Sequence, residues 1–338
     1  MVDVVVLANA VGLLYIFFFA GAFVKRPRYR ATVDNYIVVV VTVGDSRVFS
    51  TLIETVEQLE RLGLRYVVLT STPLPLSKAI VVPPEEDGSK YRAIKWFVEK
   101  YARSDFWYIF LDDDSYPLDD NFLSDIAYYG AKGYVAGNGV LVPRPGRSKL
   151  AYALDWIRYF EDVTRYRLAL EILRRPIFGM HGELLIVRGD VLKEIWPKMG
   201  ESLAEDFKFA MELLKRGYKT FQTSTRVSIK SPNSIKDFIR QRARWSNSLR
   251  EAAAYGNIPV LLYTTSSIIF WATAPLWIVQ GPSLAMVVLL YYTSAYIYGS
   301  LKARRYIVDV LAASVLEVLG LLVGVLKKTK HFYVIDKT

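Results

Sequence analysis

The chain has 338 residues and a formal net charge of +10, with 52% hydrophobic and only 22% charged residues, more apolar than a soluble domain of this length. It contains no cysteine and only two histidines, His181 and His331, which excludes disulfides, zinc–cysteine sites, cysteine nucleophiles and a three-histidine metal centre. No G-x-x-x-x-G-K-[ST] loop occurs, so carboxylates must supply most metal ligation or general-base chemistry.

From Val4 to Val24 the chain carries no charge, and Lys25, Arg26, Arg28 and Arg30 follow. The run is long enough to cross a bilayer, which takes roughly 20 helical residues. It lacks the basic start and the cleavage site of a signal peptide. It therefore reads as a retained anchor, residues 1–30, with its basic end in the cytoplasm.

Residues 31–251 have ordinary globular composition and form the expected catalytic domain. Tyr36–Val43 is a continuous β-branched run, as in a strand buried on both faces. Val48–Leu62 has helical spacing and stops at Gly63. Arg65–Thr70 reads as a strand, Lys90–Tyr101 as a helix and Phe106–Leu111 as a third strand. This alternation predicts a largely parallel α/β sheet with helices on both faces, its functional residues at the carboxyl ends of the strands.

The remainder, residues 252–338, begins with an uncharged run to Leu301. It divides at Gln280-Gly-Pro-Ser283 into a membrane hairpin over 257–300. Lys302, Arg304 and Arg305 mark a return to the cytoplasm. The apolar segment 306–326 carries Asp309 and Glu317 and precedes a basic tail with Lys327, Lys328 and Lys330. It either crosses, against the charge rule, or bends back near Gly320. With spans present, the positive charge points to anionic lipid or phosphorylated substrates, not to nucleic acid.

Three local patterns carry chemistry. The strand ending at Leu111 runs into Asp112-Asp-Asp114. Such a cluster is either a solvated acidic turn or a site for magnesium or manganese bridging to a diphosphate. Glu205-Asp206 opens a helix whose apolar face is Phe207, Ala210, Met211 and Leu214. The pair serves as helix capping, or Asp206 faces a cleft as a base kept ionised by the helix dipole. Gln241, Arg244 and Trp245 fall at i, i+3 and i+4 on one helical face. Amide, guanidinium and indole suit a phosphate beside a sugar; the alternative is an amphipathic helix on lipid. Lys90 and Arg92 could approach a diphosphate or form a surface pair.

The order and spacing of these elements resemble the family 2 glycosyltransferases of the cellulose-synthase-like type, over roughly residues 36–300. Val41-Thr-Val-Gly-Asp45, Lys90-Tyr-Arg-Ala93, Ala204-Glu-Asp206 and Lys230-Ser-Pro232 through Gln241-Arg-Ala-Arg-Trp245 are similar to the egghead-type β-1,4-mannosyltransferases. The resemblance implies a GT-A, Rossmann-like nucleotide-diphosphosugar domain with N- and C-terminal transmembrane helices and amphipathic interface helices. The basic helices around Arg158–Arg175 and Lys236–Arg250 are expected to lie at the membrane surface. It implies Asp114 and Asp112 as ligands of a divalent cation, Mg2+ or Mn2+, and Asp206 as the base that deprotonates the acceptor.

It further implies that Lys90, Asp112, Gln241, Arg244 and Trp245 bind the donor diphosphate. His181, Gly182 and Glu183, with Trp245, would line the acceptor site. The chain departs from the family in two places. Asp-Asp-Asp replaces the Asp-Glu-Glu of animal egghead proteins, and no aspartate follows the second strand at Leu69-Thr-Ser-Thr72.

The expected activity is a non-processive, inverting transfer of mannose from GDP-mannose to a lipid-linked glycan or glycolipid, forming a β-linkage. The enzyme would be an integral membrane protein in contact with membrane lipids, its catalytic domain cytoplasmic. The alternatives are a UDP-sugar donor, direct charging of a polyprenyl phosphate and, outside enzymes, an inactive membrane scaffold.

Overall fold

The computed structural model describes residues 2–24, 29–266, 268 and 286–326. The expected basic cluster Lys25, Arg26 and Arg28, the break at Gln280–Ser283 with much of the 257–300 hairpin, and the basic tail from Lys327 lie outside the described residues.

The first helix, α1, spans Val2–Ala22. The expected strands and helices then follow within a residue or two: β1 Tyr36–Thr42, α2 Ser46–Arg61, β2 Tyr66–Thr70, α3 Lys90–Tyr101 and β4 Trp107–Asp112. A short β3, Ala79–Val81, joins the edge beside β2. The caps explain the helix starts. Asp45 accepts from the Arg47 amide at the head of α2, and Ser89 accepts from the Arg92 amide at the head of α3, satisfying amides that have no partner in the first turn.

The uninterrupted apolar runs follow from burial on both faces. In β1, Val39 and Val41 join one hydrophobic cluster while Val38 and Val40 join the other; β4 divides likewise, Tyr108 and Phe110 against Trp107, Ile109 and Leu111. The period of two sends alternate side chains to opposite layers, and both layers are covered.

Beyond β4 the sheet departs from the expected parallel order. Strands β5 Ser115–Pro117, β6 Ala136–Arg144, β7 Leu185–Arg188 and β8 Thr220–Lys230 complete an eight-stranded sheet, order β3-β2-β1-β4-β7-β6-β8-β5. The half from β3 to β4 is parallel, whereas β7 lies antiparallel to both β4 and β6. Its short run, Leu185-Ile-Val-Arg188, carries no sign of direction, which is set by the loop that delivers it. The sheet is therefore mixed.

Helix α4 is Asn121–Ala131, α5 Lys149–Glu161, α6 Gly189–Ile195, α7 Glu205–Lys215, α8 Ile235–Trp245 and α9 Asn247–Ala254. After α5 the chain continues in two π-helical stretches, Asp162–Tyr166 and Leu168–Ile172. Residues 258–266 are helical, and α10 Met286–Ala303, α11 Ile307–Ala313 and α12 Val315–Leu326 follow the undescribed stretch.

Ile307–Leu326, with mean hydropathy 2.2, is long and apolar enough to cross a membrane; the described apolar part of α1, Asn9–Ala22, is shorter. The interruption in this last segment falls at Ser314, not near Gly320. Instead Gly320 and Gly324, one helical turn apart, let α12 lie directly on α8. A Cβ at Gly324 would sit 2.1 Å from the Ala243 carbonyl oxygen, and one at Gly320 would sit 2.6 Å from the Arg242 Cβ. Small residues at this spacing allow backbones to approach closely.

Several arginines of the expected lipid-facing stretches 158–175 and 236–250 are turned inward. Arg158, Arg165 and Arg242 are buried because each finds a carboxylate partner inside.

Candidate active site

The carboxyl ends of β1 and β4 open onto a cavity of about 620 Å³. Asp112 closes β4, and Asp113 and Asp114 form the turn into β5. All three line the cavity. They are held differently: Asp113 accepts from the Thr42 hydroxyl at 2.7 Å, while the Asp114 carbonyl accepts from Arg144 at 3.0 Å and from the Lys230 amide. Asp112 accepts from the Lys90 ammonium at 2.5 Å.

Lys90 is the first residue of α3 and points into the cavity, 3.4 Å from Glu205 as well. Burial alone would depress its pKa, but the charges of Asp112, Glu205 and Asp206 outweigh burial and hold it well above the usual range. Of Lys90 and Arg92, Lys90 lines the cavity. Arg92 turns to the Glu85 carbonyl at the surface.

Asp206 lies at the start of α7, where its carboxylate accepts from the Phe207 amide at 2.7 Å. The expected effect of the helix dipole is overridden. Burial is the largest influence, Glu205 and Glu183 add their negative charges, and Lys90 opposes them; the carboxyl is pushed up to about 7.

Gly182 is the point where these groups meet. A Cβ there would lie 2.6 Å from the Lys90 ammonium, 3.4 Å from Asp206 Oδ2 and 3.9 Å from Asp112 Oδ1. The loop that carries it is clamped by Asn138, on β6. The Asn138 amide donates to the carbonyls of His181 and Leu184, at 2.8 and 3.0 Å, and its oxygen accepts from the His181 amide.

His181 and Glu183 line the cavity on either side of Gly182. Glu183 pairs with Arg158, and the neighbouring charges, of which Arg158 is the largest, outweigh burial to bring its pKa down to about 2. Burial would lower the His181 pKa, yet Asp162 and Glu183 raise it overall.

Gln241, Arg244 and Trp245 come to the same cavity on α8. Trp245 has the Arg242 guanidinium over its ring at 4.1 Å and that of Arg158 at 4.8 Å, each a cation–π contact. Arg242 donates to Gln241 at 2.8 Å, to Asp155 at 2.9 Å and to Glu317 at 2.8 Å. Because the Gln241 oxygen accepts from Arg242, its amide nitrogen is left as the group that can donate into the cavity.

Every site residue expected from sequence is thus brought to this one place. Asn138, Arg158, Asp162, Arg165 and Arg242 were missed. One signal pointed at Arg242: Glu317, a carboxylate in an apolar segment, requires a partner.

Residues 107–324 match glycosyl transferase family group 2. The chain belongs to this family. Its curated relatives include the β-1,4-mannosyltransferase bre-3 of Caenorhabditis elegans, 26% identical over 223 residues, covering 62% of this chain and 49% of the relative. Another is the β-1,4-mannosyltransferase egh of Drosophila melanogaster, 24% identical over 307 residues, covering 77% and 66%. The chain spans about half the length of the nematode relative.

Among solved structures it is similar to the mannosyltransferase PcManGT of Pyrobaculum calidifontis, in complex with GDP-Man and Mn2+. The TM-score is 0.54 and the identity 14%, over 95% of this chain and 98% of that one. The family 2 glycosyltransferase therefore has a GT-A type fold built on a mixed sheet.

The donor set at the aspartates fits a divalent ion. Among the described residues no group of three or more metal-ligating side chains is gathered at one point; Asp112 and Asp114 both line the cavity. A hard cation held by one or two carboxylates and completed by substrate phosphates and water has this requirement.

Proposed function

We propose that this glycosyltransferase moves mannose from GDP-mannose to a hydroxyl of a lipid-linked glycan or glycolipid, with inversion to a β-linkage and without processive extension. The convergence of Lys90, Asp112 and Asp206 on Gly182, inside a cavity also lined by Asp114, Arg244 and Trp245, carries the reading. The mannosyltransferase names of the curated relatives support the choice of sugar.

The chemistry is a single displacement. Asp206 takes the acceptor proton as the oxygen bonds to the anomeric carbon, and the bond from that carbon to the diphosphate oxygen breaks, its electron pair leaving with GDP. A carboxylate whose pKa is about 7 is matched to this task near neutral pH, being half ionised yet basic enough to accept a proton. Asp112 and Asp114 would hold the divalent ion, whose charge would stabilise the departing diphosphate. Lys90, which lines the same cavity, would meet the diphosphate on leaving Asp112, and Gln241 and Arg244 would close over it from α8. Trp245, whose ring two guanidiniums contact, would line the acceptor site beside His181, Gly182 and Glu183.

Two measurements test the reading. Purified protein with Mn2+ and a panel of nucleotide sugars should consume GDP-mannose in preference to UDP-sugars; consumption of UDP-glucose alone would overturn the donor. Asp114→Asn should weaken metal-dependent donor binding, followed by calorimetry, by at least roughly tenfold, the lower end of what losing even an outer-shell partner of a metal costs. An unchanged metal requirement would remove Asp114 from the site.

We further propose that residues 31–251 form the catalytic domain on the cytoplasmic face, between an N-terminal anchor and the C-terminal membrane region. The charges at Arg30, Lys302, Arg304 and Arg305 support this side. A cysteine introduced at Lys302 should react with a membrane-impermeant reagent only after permeabilisation, and labelling in intact cells would reverse the topology.

A further inference from the structure

The cavity reaches past the aspartates along the carboxyl edge of the sheet. Beside β4 lies β1 and then β2, with Val41 level with Asp112 and Thr42 level with Thr70. Ser71, just beyond β2, therefore stands two strand spacings from Asp112, roughly 10 Å. Val43, Val48, Ser71, Asp87 and Gly88 line the cavity at this end. Asp87 comes from the loop between β3 and α3, the loop that also delivers Lys90. Two hydrogen bonds tie this loop to β2. The Val82 amide donates to the Thr70 carbonyl at 2.8 Å, and Ser71 Oγ donates to Asp87 Oδ1 at 3.0 Å.

The end of β2 has no carboxylate of its own, because the chain there reads Leu69-Thr-Ser-Thr72. Its hydroxyls are already spent. Thr70 donates to the Thr72 carbonyl at 2.8 Å, Thr72 to the Gly44 carbonyl at 3.3 Å, and Ser71 to Asp87. Asp87 brings an acceptor from elsewhere in the chain, and its state differs from that of its neighbours. Asp112, Glu161, Glu183 and Glu205, in the same cavity, each pair with a lysine or arginine. Among the described residues Asp87 has no such partner, and its Oδ2 accepts no hydrogen bond. A carboxylate in a cavity wall, oriented by one hydroxyl and neutralised by no cation, suits a ligand edge with adjacent N–H donors.

We propose that Asp87, oriented by Ser71, reads the guanine of the donor and is the residue that selects GDP over UDP. The inference rests on the GDP-mannose reading above and deepens it by naming the residue that sets the base. With the diphosphate at Asp112, Asp114 and Lys90, the ribose spans the interval along the sheet edge and carries the base to Asp87, beside Val43 and Val48. Guanine presents a ring N–H next to an exocyclic amine, two donors for the two carboxylate oxygens. Uracil presents one N–H flanked by two carbonyl oxygens, which a carboxylate opposes. Selection thus comes from a matched pair of hydrogen bonds and from repulsion of the wrong base.

The test titrates GDP, inosine diphosphate and UDP separately into full-length protein with Mn2+, by calorimetry. Inosine diphosphate keeps the ring N–H of guanine but lacks the amine. Wild type should bind GDP about tenfold or more tighter than inosine diphosphate, the effect of one hydrogen bond to a charged group, and tighter than UDP. Asp87→Ala should weaken GDP about tenfold or more and bring GDP and inosine diphosphate to equal affinity. Asp87→Asn keeps an oxygen for Ser71 but sets a donor against a donor, so it should lose the preference as well. Damage to the loop alone would weaken both purine nucleotides alike and keep their ratio. The wild-type ratio retained in both variants, or a wild type with no preference for GDP over inosine diphosphate, would overturn the role of Asp87. Tighter binding of UDP than of GDP by wild type would instead overturn the GDP donor, and the role of Asp87 with it.

Discussion

Asp206→Asn should abolish most sugar transfer while leaving GDP-mannose bound, and the protein should at the same time become more stable. The loss of transfer follows from removing the group that accepts the acceptor's proton, worth roughly 10²–10⁴ in rate. The gain in stability follows from linkage. The Asp206 carboxyl has a folded-state pKa of about 7, raised from 3.8 chiefly by burial and by Glu205. A carboxyl raised on folding binds its proton more tightly in the folded state, so it costs stability progressively as pH rises from about 4 to 7. Asparagine carries no such cost. In metal-free protein the melting temperature of the variant should therefore exceed that of wild type at pH 8, by more than it does at pH 5. A variant that transfers sugar at the wild-type rate would assign the base elsewhere, with Glu205 the first alternative. A variant less stable at pH 8 would contradict the electrostatic account.

Arg242→Met is the change expected to damage the fold most. Arg242 is 1% exposed and bridges Asp155, on α5, to Glu317, on α12. Removing it leaves two carboxylates facing one another in a buried place, a loss of about 3–5 kcal/mol for a pair broken on one side. Thermal unfolding in detergent should show a large drop. Glu317→Gln should recover part of it in the double variant, because one stranded charge is gone. Transfer should fall as well, since Gln241 loses the contact that orients its amide and Trp245 one of its two guanidiniums. Wild-type stability in Arg242→Met would mean that the bridge contributes nothing, and that the close seat of Gly320 and Gly324 on α8 holds the segment alone.

Much of the first half of the domain is legible in the sequence, and the reason is local. The apolar runs of β1, β2 and β4 have one reading because strands covered on both faces need no polar alternation. The helices between them carry their own caps and stops, including Gly63, whose φ of +63° suits a residue without a side chain. The aspartates at the end of β4, the acid pair that opens α7 and the i, i+3, i+4 spacing of Gln241, Arg244 and Trp245 each have a short-range signature, so the parts of the site could be named one by one.

What the tertiary structure decided was how those parts are joined and which neighbours act on them. No local pattern says that β7 runs antiparallel between β4 and β6, yet that insertion delivers Gly182 to Lys90 and Asp206. The arginines of the 158–175 and 236–250 stretches read equally well as a lipid-facing basic surface, because sequence periodicity gives the spacing of charges but not the partners they will meet. Carboxylates from distant segments, Glu183, Glu161, Asp155 and Glu317, draw Arg158, Arg165 and Arg242 inward. The same holds for Asp206. Its place at a helix N-terminus is local and argues for an ionised carboxylate, whereas its pKa near 7 comes from burial and from charges brought there by the fold. Short-range physics determined the elements and the residue types of the site; desolvation and long-range pairing, which exist only once the chain has closed on itself, determined its electrostatics.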